Sequence, residues 1–325
     1  MKAAMPTDGR LRRVVGFAAA FSLAIALCLS LYAQSGAGSS SQIPTFRSDV
    51  RLVNVYATVL NHDGAPVAEL TRGDFQVLED DVPQSIAMFD RESEVPLNIV
   101  IAVDTSLSTR KDLPLEVAAA RRFARDILRP EDRLAVYRFD ENVTEIVPFT
   151  SDIKAIERGL EHVRTGAATS LFDAVYLAAD TLAGRRGRKA LVVITDGGDT
   201  TSRMGFQDAL RSAIQSEALV YSIIDVPIEA SAGRDIGGEH ALMQFAQDTG
   251  GKYFYAGKPG QLDEAFHQID RELRTQYVLG YYAKARDDGK QFRRIDVRVR
   301  TTGAEPGGGG ESAYTVRHRT GYYTH

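Results

Sequence analysis

The chain has 325 residues, a formal net charge of −4, 44% hydrophobic residues, one cysteine and no tryptophan. That length allows one large domain plus a smaller one, with ample core. The acidic balance argues against a nucleic-acid binder, which is ordinarily basic, and a lone cysteine excludes an internal disulfide framework and a thiolate metal site.

At the N-terminus, Arg10, Arg12 and Arg13 precede the apolar run VVGFAAAFSLAIALCLSLYA, Val14 to Ala33. A basic stretch followed by an apolar one reads as an export signal over residues 1–33. Cleavage is expected after Ala33, giving a periplasmic or secreted protein. The run is also near bilayer-spanning length, so an uncleaved inner-membrane anchor is the alternative, and the only membrane contact expected. Cys28 follows Leu27, which is too large for the small-residue position of a lipidation site. The six histidines, at 62, 162, 240, 267, 318 and 325, show no metal-ligand spacing.

Residues 34–46 form a linker, rich in Ser and Gly from Ser35 to Ser41. Residues 47–95 read as β structure. VRLVNVYATVL alternates apolar residues, NHDGAPV is a turn with Asp63-Gly64 at its tip, and DFQVLEDDVPQSIAMFD gives two short strands around Asp80-Asp81 and Pro83. From Pro96 the pattern changes. NIVIAVD and KALVVITDG are nearly continuous apolar runs ending in Asp, and RLAVYRFD and ALVYSIIDV are more mixed with a similar ending. Runs buried on both faces imply a mainly parallel sheet covered by helices. Helices are predicted over Leu115–Leu128, Asp152–His162, Ser170–Ala183, Phe206–Glu217, Glu239–Asp248 and Gln261–Arg274, with VTEIVPF as an edge hairpin partner. This is a doubly wound α/β domain over 96–275. Residues 276–325 return to β character in QYVLGYYA, FRRIDVRVR and AYTVRHRTGYY, with the glycine-rich TGAEPGGGGES as a flexible loop. The two flanking segments are each too small to bury a core alone, so they are expected to pair into one sandwich-like all-β module. The arginines of RRIDVRVR are expected on a solvated strand face.

The chemistry gathers at the strand ends. In NIVIAVDTSLST the buried run ends in Asp104, and Ser106 and Ser108 follow at alternate positions, which points all three to one side of an extended segment. A carboxylate with two hydroxyls is an oxygen cluster suited to a hard cation. Asp196 ends ALVVITD, and ligands of doubly wound sheets bind outside such carboxyl ends. Thr169 sits in TGAATSLFDAV just before a helix, where it or Ser170 also reads as a cap. Asp199 to Ser202 read as the capped start of the next helix, and Asp173 and Asp180 as solvated helix positions.

Asp104-x-Ser106-x-Ser108, Thr169 after a small-residue loop, and Asp196-Gly197 after a strand together resemble the metal-ion-dependent adhesion site of von Willebrand factor A domains. The flanks LTRGDFQVLEDDVPQSI and YVLGYY resemble those of bacterial proteins related to that domain. The resemblance implies five ligand positions, Asp104, Ser106, Ser108, Thr169 and Asp196, holding a divalent cation: Mg²⁺ first, Mn²⁺ or Ca²⁺ as alternatives. It implies a non-enzymatic binding module whose cation takes an Asp or Glu side chain of an unidentified protein partner, with Leu107, Thr109, Ser170, Gly197 and Asp199 as the partner-binding rim. Many members have Gly and Met where this chain has Leu107 and Thr109. The competing reading is a metal-dependent phosphoryl-transfer hydrolase using Asp104, but its acid/base position two residues on is Ser106. A dinucleotide fold needs G-x-G-x-x-G after the first strand and a serine hydrolase needs G-x-S-x-G; neither occurs.

Overall fold

Alternating apolar runs of the flanking segments, and continuous ones in the middle, sort into three sheets. The computed structural model describes residues 51–91, 95–225, 235–258, 260–284, 289–300 and 314–324. The expected N-terminal signal or anchor, the expected linker, and the TGAEPGGGGES stretch lie outside them. Among the described residues no helix is long and apolar enough to cross a membrane.

The central sheet comprises β5 (Leu97–Asp104), β6 (Arg133–Phe139), β7 (Val143–Thr150), β8 (Arg188–Thr195), β9 (Leu219–Ile224) and β10 (Lys252–Tyr255), in the order β10-β9-β8-β5-β6-β7. All pairings are parallel except the β6–β7 hairpin at one edge. Every residue of β5 is buried, as expected of a strand covered on both faces. Its odd-numbered side chains, Leu97 to Val103, pack against α1 (Leu113–Ile127), α2 (Ile153–Glu161) and α6 (Gln261–Arg274). Val100 and Ala102 face α3 (Leu171–Ala183), α4 (Phe206–Ser216) and α5 (Ile236–Thr249) on the other side. The chain leaves β5 toward one layer and β8 toward the other. These neighbours therefore open a crevice at their carboxyl ends, the switch point of a doubly wound sheet.

The flanking segments pair with each other. β1 (Arg51–Leu60) lies antiparallel to β11 (Tyr277–Ala283), with Val53 opposite Tyr281 and Val55 opposite Leu279, and β4 (Ile86–Arg91) adds to the far side of β11. In the second sheet, β12 (Phe292–Val299) pairs with β2 (Phe75–Glu79), which continues into β3 (Val82–Gln84). The β2–β3 turn uses Asp80 and Asp81 at φ 48° and 65°, the double positive φ of a two-residue hairpin turn that favours Asp. Val53, Val55, Ala57 and Val59 of one sheet meet Phe75, Val77, Ile295 and Val297 of the other in a single core.

The structure departs from the sequence-based expectations in four places. AYTVRHRTGYY divides into β13 (Thr315–Arg317), which joins β1, and β14 (Gly321–Tyr323), which joins β12. The crossing at His318–Thr320 docks on the central domain. Arg319 pairs with Glu217 at 3.1 Å and donates to Asn54 O at 2.6 Å, and Thr320 N donates to Asp248 O at 2.9 Å. DFQVLEDDVPQSIAMFD holds three strands rather than two, because Ser85 interrupts the run between β3 and β4. In β12, Arg294 and Arg298 are solvated as expected, but Arg293 is buried against Asp80 at 3.0 Å. β10, four residues long, had no clear apolar pattern to announce it.

Candidate functional site

Asp104 ends β5 beside Thr195, the last residue of β8, because Val103 is in register with Ile194. Its carboxylate is fully buried and both oxygens are used: Oδ1 accepts from Ser106 N at 2.8 Å and Oδ2 from Thr195 Oγ1 at 2.6 Å. Burial is the largest influence on this group and pushes its pKa up to about 6; Asp196 adds to the rise, and the Thr195 and Ser106 hydrogen bonds oppose it. The backbone turns after Asp104, and the Ser106 and Ser108 hydroxyls meet at 2.9 Å. Thr109 holds that turn, its hydroxyl donating to Asp104 O at 3.1 Å and Ser106 O at 3.2 Å.

The loop carrying Thr169 is tied to both neighbours. Gly166 N donates to Thr105 O at 2.7 Å, and Thr169 O accepts from Thr200 N at 2.8 Å and Thr201 N at 3.1 Å, both in the segment following Asp196. Asp140, at the end of the β6 run, supports the same loop: its carbonyl accepts from Ser170 Oγ at 2.7 Å. A Cβ at Gly166 would lie 2.3 Å from the Asp140 Cβ, so only glycine fits this approach. Asp196 is half-exposed and makes no hydrogen bond or ion pair among the described residues. Gly197 takes φ +103°, and a Cβ on Gly238 at the start of α5 would fall 1.4 Å from Gly197 O. The Asp196 loop is thus clamped against α5 by backbone-to-backbone contact.

The five candidate ligand residues therefore stand on three loops that are bonded to one another at one sheet rim. Of the expected rim, Leu107 is prominent at 58% exposure. Thr109, Ser170 and Gly197 are buried; their polar groups are spent on loop geometry, which removes them from a contact surface. Asp199 turns inward, with Oδ1 accepting from Phe172 N at 3.2 Å and from the Ser202 hydroxyl. Ser202 Oγ also accepts from Phe172 N and Asp173 N. So the Asp199–Ser202 segment does cap a helix, but it is α3, approached through space, while α4 begins after Gly205. Asp173 returns the favour by accepting from Arg203 N at 3.0 Å and Met204 N at 2.8 Å, so it is a loop anchor rather than a solvated helix position.

Sequence reasoning passed over Thr195, which orients Asp104, and Asp140, which holds the Thr169 loop. Thr195 immediately precedes Asp196, and the Asp ending of RLAVYRFD was the available signal for Asp140.

Among the described residues no three His, Cys, Asp or Glu side chains are gathered closely enough to hold a metal. The donor set at this rim is of another kind, two carboxylates and three hydroxyls. It suits a hard divalent ion that keeps part of its water shell. Asp104, desolvated beside Asp196, is a group whose ionised form a cation would stabilise. The residues present fit such an ion.

Residues 99–198 match the family model of the von Willebrand factor type A domain, and the central domain has that fold. No curated protein matches the chain. Among solved structures, BatB from Bacteroides thetaiotaomicron, described as a conserved hypothetical protein, is 22% identical, with 55% of this chain and 97% of that one covered and a TM-score of 0.43. The vWF domain of the type V pili tip protein Mfa5 from Porphyromonas gingivalis is 14% identical, with 55% and 95% covered and a TM-score of 0.46. The pilus adhesin SpaC from Lactobacillus rhamnosus GG is 10% identical, with 75% and 45% covered and a TM-score of 0.47.

Proposed function

We propose that the protein is a metal-dependent protein-binding module acting outside the cytoplasm. In this reading Asp104, Ser106, Ser108, Thr169 and Asp196 hold one divalent cation, Mg²⁺ in first place, with Mn²⁺ or Ca²⁺ as alternatives. The bound ion supplies an electrophilic position that an acidic side chain of a protein partner can fill. The observation that carries the reading is the division of labour between the two carboxylates. Asp104 is fully buried with both oxygens hydrogen-bonded, while Asp196 is half-exposed and without a hydrogen bond. Asp104 fixes the Ser106 backbone from behind, the two serine hydroxyls bond each other, and Asp196 is the carboxylate left without a hydrogen bond. Leu107 supplies an apolar contact beside it. The export reading rests on Arg10 to Ala33, and the sequence pattern there is its support.

The hydrolase alternative is disfavoured by a missing partner group. It needs an acid/base two residues after the nucleophilic aspartate, and position 106 offers a serine there.

The test is a calorimetric titration of the chain with Mg²⁺ and Mn²⁺. One site is expected, and Asp196→Ala should weaken it by at least roughly tenfold while circular dichroism stays native. Equal affinity in that variant would remove Asp196 from the site and the reading with it. Capture of a partner from an exported fraction should then require the metal and fail with chelator.

A further inference from the structure

The chain changes sheets between β13 and β14, and one histidine holds the place where it crosses. β14 pairs with β12 as far as Gly321 opposite Arg294, and Ile295 N extends the ladder by donating to Thr320 O at 2.8 Å. An antiparallel ladder repeats every second residue, so the next acceptor would be the carbonyl of residue 318. The backbone has by then turned away toward β1, which it joins with Arg317 opposite Thr58. His318 fills the gap with its ring: Val297 N donates to Nε2 at 3.1 Å. The other ring nitrogen, Nδ1, lies 2.8 Å from Arg319 O. A carbonyl can only accept, so the proton sits on Nδ1 and Nε2 offers its lone pair. The imidazole is neutral, in one tautomer, and stands in for a main-chain carbonyl.

A proton added at Nε2 would face the Val297 N–H, donor against donor. Burial is the largest influence on His318 and holds its pKa below the ordinary 6.5; the bond to Arg319 O and the charge of Asp296 oppose this, and the Arg319 charge adds to it. Asp296, whose charge favours an imidazolium, is already paired with Arg298 of the same strand at 2.7 Å. The other charged groups about the crossing are likewise committed. Arg317 pairs with Glu272 of α6 at 2.6 Å, Arg319 with Glu217 after α4 at 3.1 Å, and Asp248 of α5 accepts from Gln244 at 2.8 Å.

The same crossing docks the β module on the central domain. Besides the Arg319–Glu217 pair, Thr320 N donates to Asp248 O at 2.9 Å and Arg317 donates to Gly251 O at 2.8 Å. Gly250 approaches so closely that a Cβ there would lie 2.5 Å from the His318 carbonyl carbon. We propose that His318 is an acid-operated latch, whose protonation breaks the bond to Val297 N and loosens the 317–320 crossing from the central domain. Histidine is the side chain whose ordinary charge change falls in mild acid. The native state prefers the neutral ring, so the latch contributes fully above pH 6.5 and its contribution is lost as pH falls below that value. Over this interval the ratio of open to closed joint rises by up to about tenfold per pH unit. The latch is independent of the proposed metal site.

Hydrogen exchange of the full chain in chelator reads the joint, with each rate corrected for the intrinsic pH dependence of exchange. Protection of the Val297 amide should fall about fivefold or more between pH 7.5 and pH 5.5, while β5 and β8 keep theirs. His318→Gln offers Oε1 to Val297 N and an amide N–H to Arg319 O without a titrating group, so its protection should change by less than about twofold. His318→Ala should leave Val297 poorly protected at both pH values. Nitrogen chemical shifts of the wild-type ring, assigned through its contact with the Val297 amide, should show a neutral imidazole protonated at Nδ1 at pH 7.5, a readout that stands even if neither variant folds. The proposal is overturned if His318 is charged at pH 7.5, if Val297 protection holds at pH 5.5, or if His318→Gln loses protection as the wild type does. It is overturned equally if β5 and β8 lose protection in parallel, which would be general acid unfolding.

Discussion

Asp104 allows a test of the site's electrostatics in which no partner need be known. Its pKa is raised from 3.8 to about 6, with burial as the first cause. A carboxyl whose folded pKa exceeds its unfolded one is bound more tightly by protons in the native state. Its contribution is therefore fully present below pH 3.8 and is lost as pH rises to about 6. The interval corresponds to about 3 kcal/mol. Above pH 6 the metal-free protein carries that cost as a buried, ionised carboxylate. Asp104→Asn removes the charge and keeps the shape. It preserves the acceptor for Ser106 N, but turns an amide toward Thr195 Oγ1, whose hydroxyl must then find another acceptor, at about 1 kcal/mol. At pH 7 in chelator the variant should thus be more stable than the wild type by about 1–3 kcal/mol, and at pH 4 the gain should vanish. Urea unfolding at a series of pH values measures it. The quantity to read is the difference between the two proteins, because Glu116 and Asp225, whose pKa values are also raised, titrate in both. Saturating Mg²⁺ should stabilise the wild type at pH 7 and leave Asp104→Asn unmoved. A difference that does not change between pH 4 and pH 7 would refute the desolvated-carboxylate account of this rim.

Two further outcomes follow from packing. Gly238→Ala drives a methyl group into Gly197 O, so it should destabilise the domain by about 2 kcal/mol or more and weaken Mg²⁺ binding as the Asp196 loop moves; thermal melts and calorimetry check both. Removing residues 277–325 strips β1 of β11 and β13, and β2 of β12. Limited proteolysis should then cut within 51–91 while the central domain persists, and continued protection of that segment would mean that β1 and β2 do not depend on those partners.

The reading of the sequence succeeded where one physical signal dominated. Continuous apolar runs announced β5 and β8, and amphipathic periodicity placed α6 at its observed ends, Gln261 and Arg274. The candidate positions Asp104, Ser106, Ser108, Thr169 and Asp196 fall at one rim because they follow strands or enter a helix beside the sheet's switch point. What escaped was set by contacts distant along the chain. Asp199 and Ser202 read as a local cap, and only the fold brings them to Phe172 N. Ser170 reads as a cap and instead donates its hydroxyl to Asp140 O. Arg293 shares the parity of Ile295, Val297 and Val299, so alternation places it on the buried face, but nothing local shows that Asp80 of another hairpin supplies its partner there. Glu116 lies in a helix of ordinary average composition, and only the fold brings it beside Asp225.

The division of residues 314–324 between two sheets carries a consequence for how the chain reaches its native state. β1 emerges first and is not zipped to β13 until Val316 can reach Val59. β2 likewise waits for β12, which in turn waits for Tyr323 to cover Phe292. The central domain, whose strands are wound through nearer connections, has no such delay. During synthesis the apolar face of β1 (Val53, Val55, Val59) would stand open with an unpaired backbone edge, a template for pairing with another chain. Closure of the β module is a late, high-contact-order event. Rapid dilution from denaturant should therefore give a fast phase from the central sheet and a slower one from the module, with losses to aggregation rising with protein concentration during the interval between them.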